Sequence, residues 1–186
     1  MSKLYFRYAA MNAGKTTQLL QVAFNYEERG QQVLLIKPEL DTRELEIKSR
    51  IGISRKAILI SKEQNIQELI GTLNIDCLLV DEVQFLTEAQ VRQLAKIVDE
   101  ENIPVICYGL RSDFQGNLFP GSAALLALAD TIEELKTICW CGRKAIMNTR
   151  LQDGLAVFEG EQVQVGGNET YISLCRKHWR AGKVSL

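Results

Sequence analysis

The segment Ala9-Ala10-Met11-Asn12-Ala13-Gly14-Lys15-Thr16 lies between a strand-like run, Lys3 to Tyr8, and a stretch of helical periodicity. Glycine, lysine and a hydroxyl residue in that order and context form a Walker A loop, whose backbone N–H groups surround phosphate oxygens at a helix N-terminus. Lys15 can reach β- and γ-phosphates, and the Thr16 hydroxyl can hold Mg²⁺. Ala9 stands where the common pattern opens with glycine. A second signal is IDCLLVDE, an apolar run ending in Asp81 and Glu82. It reads as a Walker B strand that presents an acid toward Mg²⁺ beside the phosphate loop. Neighbours on an extended chain point to opposite sides, so the two acids need separate tasks. Asp81 suits the metal, directly or through water, and Glu82 suits a base or water-positioning role. With both elements in order, the sequence points to nucleoside triphosphate binding. Asp41 and Arg43 follow the second strand, either as a solvated charge cluster or as a carboxylate and a guanidinium at the site, Arg43 then spreading the charge of a transferring phosphoryl group.

A different chemistry is written near the end of the chain. Cys139-Trp-Cys141 and Cys175-Arg-Lys-His178 offer three thiolates and an imidazole, a donor set for tetrahedral Zn²⁺. Four protein ligands leave no open position, so such a metal is structural. Cys77 and Cys107 sit instead in apolar runs.

The elements that must position these groups are legible as patterns. The phosphate loop predicts a helix over Lys15 to Arg29, with Leu19, Leu20, Ala23 and Tyr26 on one face and Gly30 as its C′ residue. Gln32 to Lys37 closes a βαβ unit and so predicts a parallel sheet. Ile75 to Val80 and Pro104 to Tyr108 read as further buried strands, with an amphipathic helix over Thr87 to Glu101 between them. Glu39 to Arg55 reads as a mobile polar loop, and Ser122 to Leu135 as a last helix. Beyond Lys136 come short β-like pieces, TICW, AIMNTRL, LAVF, QVQV and TYISL, punctuated by glycines.

The chain has 186 residues, enough for one α/β core with a small appendage, and 22 Lys/Arg against 23 Asp/Glu. That balance excludes an overall basic field for nucleic acid or anionic membrane. The apolar runs are too short to span a bilayer, and Lys3 and Arg7 interrupt the start, so a cytoplasmic protein is expected. Residues 1–135 carry 14 Lys/Arg against 19 Asp/Glu, and residues 136–186 carry 8 against 4. The split predicts two units: a nucleotide-binding α/β domain over 1–135 and a zinc-binding β domain over 136–186.

The chain resembles thymidine kinase of the cellular and bacterial tetrameric type along nearly its whole length. The resemblance rests on AAMNAGKT (9–16), LDTR (40–43), DEVQF (81–85), YGLRSDFQGNLF (108–119) and GGNETYISLCRKH (166–178). It implies a P-loop, RecA-like parallel-sheet α/β core and a small zinc-binding β domain carrying a lasso loop, here from about Leu151 to Tyr171. It implies transfer of the ATP γ-phosphoryl group to the 5′-hydroxyl of thymidine, with deoxyuridine as a further acceptor. Glu82 becomes the catalytic base, Arg43 a transition-state contact, and Lys15 a catalytic cation. Nucleotide contacts fall to Ala9, Ala10, Met11, Asn12, Ala13, Gly14, Lys15, Thr16, Asp81 and Gln84, and Mg²⁺ to Thr16, Asp81 and Asp41. The thymine pocket maps to Met11, Phe85, Leu110, Phe114 and Phe119, with Val163, Val165, Gly166 and Tyr171 from the lasso. A homotetramer restrained by thymidine triphosphate is also implied. Departures from the family pattern are Ala9, Asn12-Ala13 where many members have Phe-Ser, and C-x-C with His178 in place of four cysteines. The rival expectation, from the basic tail, is a P-loop ATPase module whose zinc ribbon binds nucleic acid.

Overall fold

The computed structural model describes residues 1–40, 46–163 and 170–186 of the chain. Asp41, Arg43, Val165 and Gly166 therefore lie outside the described residues. Strand β1 (Leu4–Ala9) leads through the glycine loop into α1 (Lys15–Glu27), which returns to β2 (Val33–Pro38). Next come β3 (Glu46–Lys48), β4 (Ser54–Lys56), β5 (Ile58–Ile60), α2 (Ile66–Ile70) and β6 (Cys77–Val80). A 3₁₀ turn (Val83–Phe85) precedes α3 (Glu88–Glu101), β7 (Val105–Leu110), α4 (Pro120–Leu128) and β8 (Thr131–Glu134). The rest comprises β9 (Thr137–Ile138), β10 (Lys144–Ala145), β11 (Met147–Gln152), β12 (Leu155–Val157), β13 (Thr170–Leu174) and α5 (Arg176–Arg180).

Six strands form one parallel sheet in the order β5-β2-β6-β7-β1-β8. β6 and β7 are buried along their whole length, as strands covered on both faces must be. One face packs Phe6, Ile36, Leu78 and Val80 against the apolar stripe of α3, Val91, Leu94 and Ile97. The other packs Leu35, Leu79 and Ile106 against Leu19, Leu20 and Ala23 of α1. Helix α3 opens with a capping box: Thr87 Oγ1 accepts from the Gln90 N–H and Gln90 Oε1 accepts from the Thr87 N–H, each at 3.1 Å. The loop after β1 and the turn after β6 leave the same, carboxyl edge of the sheet, with β7 between them. A three-stranded antiparallel sheet, β12-β11-β13, and the β9/β10 pair make up the small unit. No described helix is long and apolar enough to cross a membrane.

Two expectations are corrected. The polar stretch 39–55 is not simply a loop: β3 and β4 pair as an antiparallel hairpin, with Glu46 opposite Lys56. A single apolar residue, Ile47, is buried in the α1-side core and anchors it, too weak a pattern to read as a strand. The helix expected over Ser122 to Leu135 ends at Leu128, and Thr131–Glu134 becomes a sixth strand parallel to β1. It is an edge strand with Ile132 exposed, so alternation was missing and the partner strand decided. α2, α5 and β5 were unforeseen because each is only three to five residues long. Of QVQV, Gln162 and Val163 form a bend, and residues 164–165 lie outside the described residues.

Candidate active site

Gly14 is the N-cap residue of α1, with φ +81°, a left-handed conformation suited to glycine. No side chain caps this helix end, and its first N–H groups are left for another acceptor. Lys15 is 9% exposed at the helix start. Burial pushes its ammonium pKa down, Glu82 and Asp81 hold it up, and Arg50 opposes them. The Thr16 hydroxyl donates to Asp81 Oδ2 at 3.3 Å, which joins the glycine loop to the end of β6. Asp81 is buried, and its carboxyl is pushed up to about 7, first by desolvation and then by the charge of Glu82.

Glu82 adopts φ +51°, a left-handed backbone that is uncommon outside glycine. Asp81 Oδ1 accepts its N–H at 3.0 Å, and the Gln84 amide donates to Glu82 Oε2 at 2.5 Å. Gln84 Oε1 in turn accepts from the Leu110 N–H at 3.1 Å. Gln84 thus stands beside Glu82, on the β7 side. Gly109 is required for this arrangement, because a Cβ there would lie 2.5 Å from Gln84 Oε1 and 2.9 Å from Val83 Cγ1.

Two cavities meet at Glu82. One of about 410 Å³, with charged side chains in its wall, is lined by Asn12, Gly14, Lys15, Thr16, Arg50 and Glu82 among others. A largely apolar one of about 320 Å³ is lined by Met11, Phe85, Leu110, Phe114, Phe119, Val163 and Tyr171, all expected pocket residues. Met11, Glu82 and Leu110 line both. Phe85 and Phe119 meet edge to face at 5.5 Å. Leu40, Asp113, Asn148 and Gln162 also line the apolar cavity, and sequence reasoning missed them. Asp113 sits inside YGLRSDFQGNLF, so the motif itself was the available signal. Its Oδ1 accepts from the Gln115 and Asn117 N–H groups, each at 2.9 Å, and Oδ2 accepts from Gln162 Nε2 at 2.8 Å. Asn148 had no such signal.

The small unit reaches directly into this site. Asn148, buried on β11, accepts the Met11 N–H at 2.8 Å and donates to the Ser112 carbonyl at 2.8 Å. The Ser173 hydroxyl on β13 donates to the Met11 carbonyl. Arg150, 2% exposed, lies 3.8 Å above the Phe114 ring centroid and donates to the Tyr171 hydroxyl at 2.7 Å. Trp179 Nε1 donates to the Phe114 carbonyl at 3.0 Å.

Behind these contacts, the ligand atoms of Cys139, Cys141, Cys175 and His178 all lie within 4.8 Å of one another. Cys141 Sγ is 4.0 Å from Cys175 Sγ, and Cys139 Sγ is 3.5 Å from His178 Nδ1. A tetrahedron with ligands at about 2.0–2.3 Å has edges of about 3.3–3.8 Å, so the set fits structural zinc with little adjustment. Burial would raise the Cys139 thiol, but the backbone N–H groups of Cys141 and Cys175, with His178, bring it down to about 6 and favour the thiolate. Trp140 stacks on the His178 ring at 4.2 Å and holds its plane.

The family model described as Thymidine kinase matches residues 2–179. The chain belongs to the thymidine kinase family. It is 54% identical to "Thymidine kinase" of Legionella pneumophila subsp. pneumophila (strain Philadelphia 1), over 100% of this chain and 93% of that protein. It is 53% identical to "Thymidine kinase" of Photorhabdus laumondii subsp. laumondii, over 96% and 92%, and of Idiomarina loihiensis, over 97% of each. Family membership makes the chain a nucleoside kinase, and nothing favours an ATPase module with a nucleic-acid-binding ribbon. A kinase family implies ATP with a metal, and the Cys₃His cluster is compatible with structural zinc.

Proposed function

We propose that this chain transfers the γ-phosphoryl group of ATP to the 5′-hydroxyl of thymidine, and of deoxyuridine, to give the nucleoside monophosphate. The observation that carries this reading is the position of Glu82, which lines both the cavity at the glycine loop and the apolar cavity. The apolar cavity lined by Phe85, Phe114 and Phe119 suits a flat base, and the cavity at Gly14, Lys15 and Thr16 suits a polyphosphate. A nucleoside hydroxyl at the junction then meets the Glu82 carboxylate.

In this scheme Glu82 orients the hydroxyl and takes its proton late, because a carboxylate is too weak a base to strip an alcohol early. Gln84 holds the carboxylate in place through its 2.5 Å hydrogen bond. Mg²⁺, held by Thr16 and Asp81 with Asp41, would neutralise charge on the phosphates. Lys15 and Arg43 stabilise the charge of the transferring group, and we assign contacts to the base to Val163 and Tyr171 and, by family membership, to Val165 and Gly166. The remaining glycine-loop residues, Ala9, Ala10, Met11, Asn12 and Ala13, form the loop around the phosphates, with the Met11 N–H already committed to Asn148. We divide the chain at residue 135 into nucleotide-binding and zinc-binding units, on charge and on the change of sheet. Family membership supports a cytoplasmic homotetramer inhibited by thymidine triphosphate.

The test is a radiolabelled transfer assay with Mg²⁺-ATP and a panel of deoxynucleosides and their ribose counterparts. Label is expected on thymidine and deoxyuridine alone. ATP hydrolysis without transfer to any nucleoside would overturn the assignment.

A further inference from the structure

The hairpin formed by β3 and β4 brings basic side chains to the phosphate-loop cavity. It is tied down at three points. Ile47 is buried against α1, Lys37 Nζ donates to the Glu46 carbonyl at 2.9 Å, and Arg55 pairs with Glu27 at the end of α1 at 3.5 Å. Its tip turns through Gly52, φ +88°, with the Ser49 N–H bonded to the Ile53 carbonyl at 2.8 Å. Lys48 and Arg50, beside that turn, line the cavity together with Lys15. Among the described lining residues the only carboxylate is Glu82. Three cations thus face a space with one acid, and two of them come from the hairpin.

Arg50 is held there by a specific partner. Its guanidinium donates to the side-chain oxygen of Asn12, inside the glycine loop. Asn12 itself has φ +65°, a left-handed backbone that asparagine tolerates better than most residues. The bond uses one of the five N–H donors that the planar guanidinium carries and leaves others for the oxygens of a multiply charged phosphate. Arg50 also lies close enough to Lys15 to push its ammonium pKa down, an arrangement that costs energy until an anion enters between them.

We propose that Arg50, held by Asn12, is a phosphate-binding residue for the polyphosphate chain of the nucleoside triphosphate, acting from the hairpin across the glycine loop from Lys15. The proposal deepens the kinase reading above and rests on it for the identity of the triphosphate. It predicts that the hairpin contributes to donor affinity and not to nucleoside affinity, since Arg50 does not line the apolar cavity.

The test uses the full chain. Arg50→Ala is expected to raise the KM for Mg²⁺-ATP about tenfold, the range for loss of a charge-assisted hydrogen bond, with the thymidine KM changed less than about twofold. Arg50→Lys should recover only part of the loss, because an ammonium lacks the fork. Asn12→Gly keeps the left-handed backbone and should raise the ATP KM by a smaller factor, about threefold, while the double variant should be no worse than Arg50→Ala alone. An unchanged ATP KM in Arg50→Ala would overturn the proposal, as would equal effects on both substrates. Binding of inorganic tripolyphosphate to the wild type and Arg50→Ala, followed by calorimetry, gives a readout independent of turnover. Weaker binding in the variant supports the hairpin contact even if no nucleoside is phosphorylated, and equal binding refutes it even if thymidine is the substrate.

Discussion

The six-stranded parallel sheet and the shorter β strands that follow it, the large and small units below, are held together in different ways. Among the described residues, the six-stranded sheet buries apolar clusters of eighteen and ten residues on its two faces. The small unit has a cluster of four, Cys139, Ala145, Leu174 and Cys175, and two of those are thiols of the metal-ligand set. A core of that size cannot offset the chain entropy of some fifty residues, so cohesion must come from the ligand set and from contacts with the larger unit. Yet the small unit is not an appendage to the chemistry. Both backbone polar groups of Met11, its N–H and its carbonyl, are bonded to it, through Asn148 and Ser173, and Arg150 and Trp179 hold the Phe114 segment. The less self-sufficient region therefore sets the shape of the loop that the more stable region presents.

The sharpest way to break this contrast is to remove a thiol. Cys175→Ala should lower zinc content from about one per chain to near zero, abolish the near-ultraviolet dichroism of Trp140 and Trp179, and abolish transfer, while the helical signal of the large unit persists. Retained activity in zinc-free protein would show that the small unit stands without metal. Next in size, Glu82→Gln should reduce kcat at least about 10²-fold with both units intact by dichroism and zinc content. Turnover near the wild-type rate would remove Glu82 from the chemistry.

Asp81 tests the cost of burying a carboxyl at the end of β6 inside the large unit. Its carboxyl pKa rises from an ordinary 3.8 to about 7 on folding, so the folded chain holds a proton that the unfolded chain releases. Stability of the nucleotide-free, chelator-treated wild type should therefore fall as pH rises from about 4 to about 7 and level off above. Asp81→Asn should escape that fall and be the more stable protein at pH 8, by a few kcal/mol at most, with the gap closing toward pH 4. Chemical denaturation at several pH values measures it; a gap independent of pH would mean that the carboxylate is not desolvated. Asn148→Ala strands the Met11 N–H and the Ser112 carbonyl, and should cost about 1–3 kcal/mol and raise the KM of both substrates. A normal ATP KM there would show that the small sheet does not hold the glycine loop. The smallest effect is expected at Thr87→Ala, which removes the α3 capping box: about 1 kcal/mol in stability with kinetics unchanged.

What could be read from the chain follows the length over which each interaction acts. GKT after a strand, VDE at the end of a buried run, and C-x-C with C-x-x-H are local patterns, since the residues that share a task are neighbours in sequence. They, with the apolar period of α1 and α3, were enough to expect a parallel-sheet α/β fold with a metal-ligand cluster. Asn148 was invisible because its partner Met11 is 137 positions away, and a lone asparagine on a short strand carries no pattern. The β3–β4 hairpin was hidden for a related reason: Ile47 is its one buried apolar side chain, Ile51 and Ile53 are exposed, and its other ties, from Lys37 and to Glu27, come from distant residues. Thr131–Glu134 became a strand only because β1 offered it an unpaired edge. Residue types and their local spacing were enough for the chemistry available, the donor sets and the strands and helices with enough periodicity to stand on their own pattern. Which groups share a cavity came from the folded arrangement alone, with Glu82 lining two of them, Asn148 and Ser173 on the Met11 backbone, and Arg50 bonded to Asn12 of the glycine loop. Hydrogen bonds and electrostatic contacts between distant residues depend on distances of a few ångströms, and those distances are set by the packing of the whole sheet.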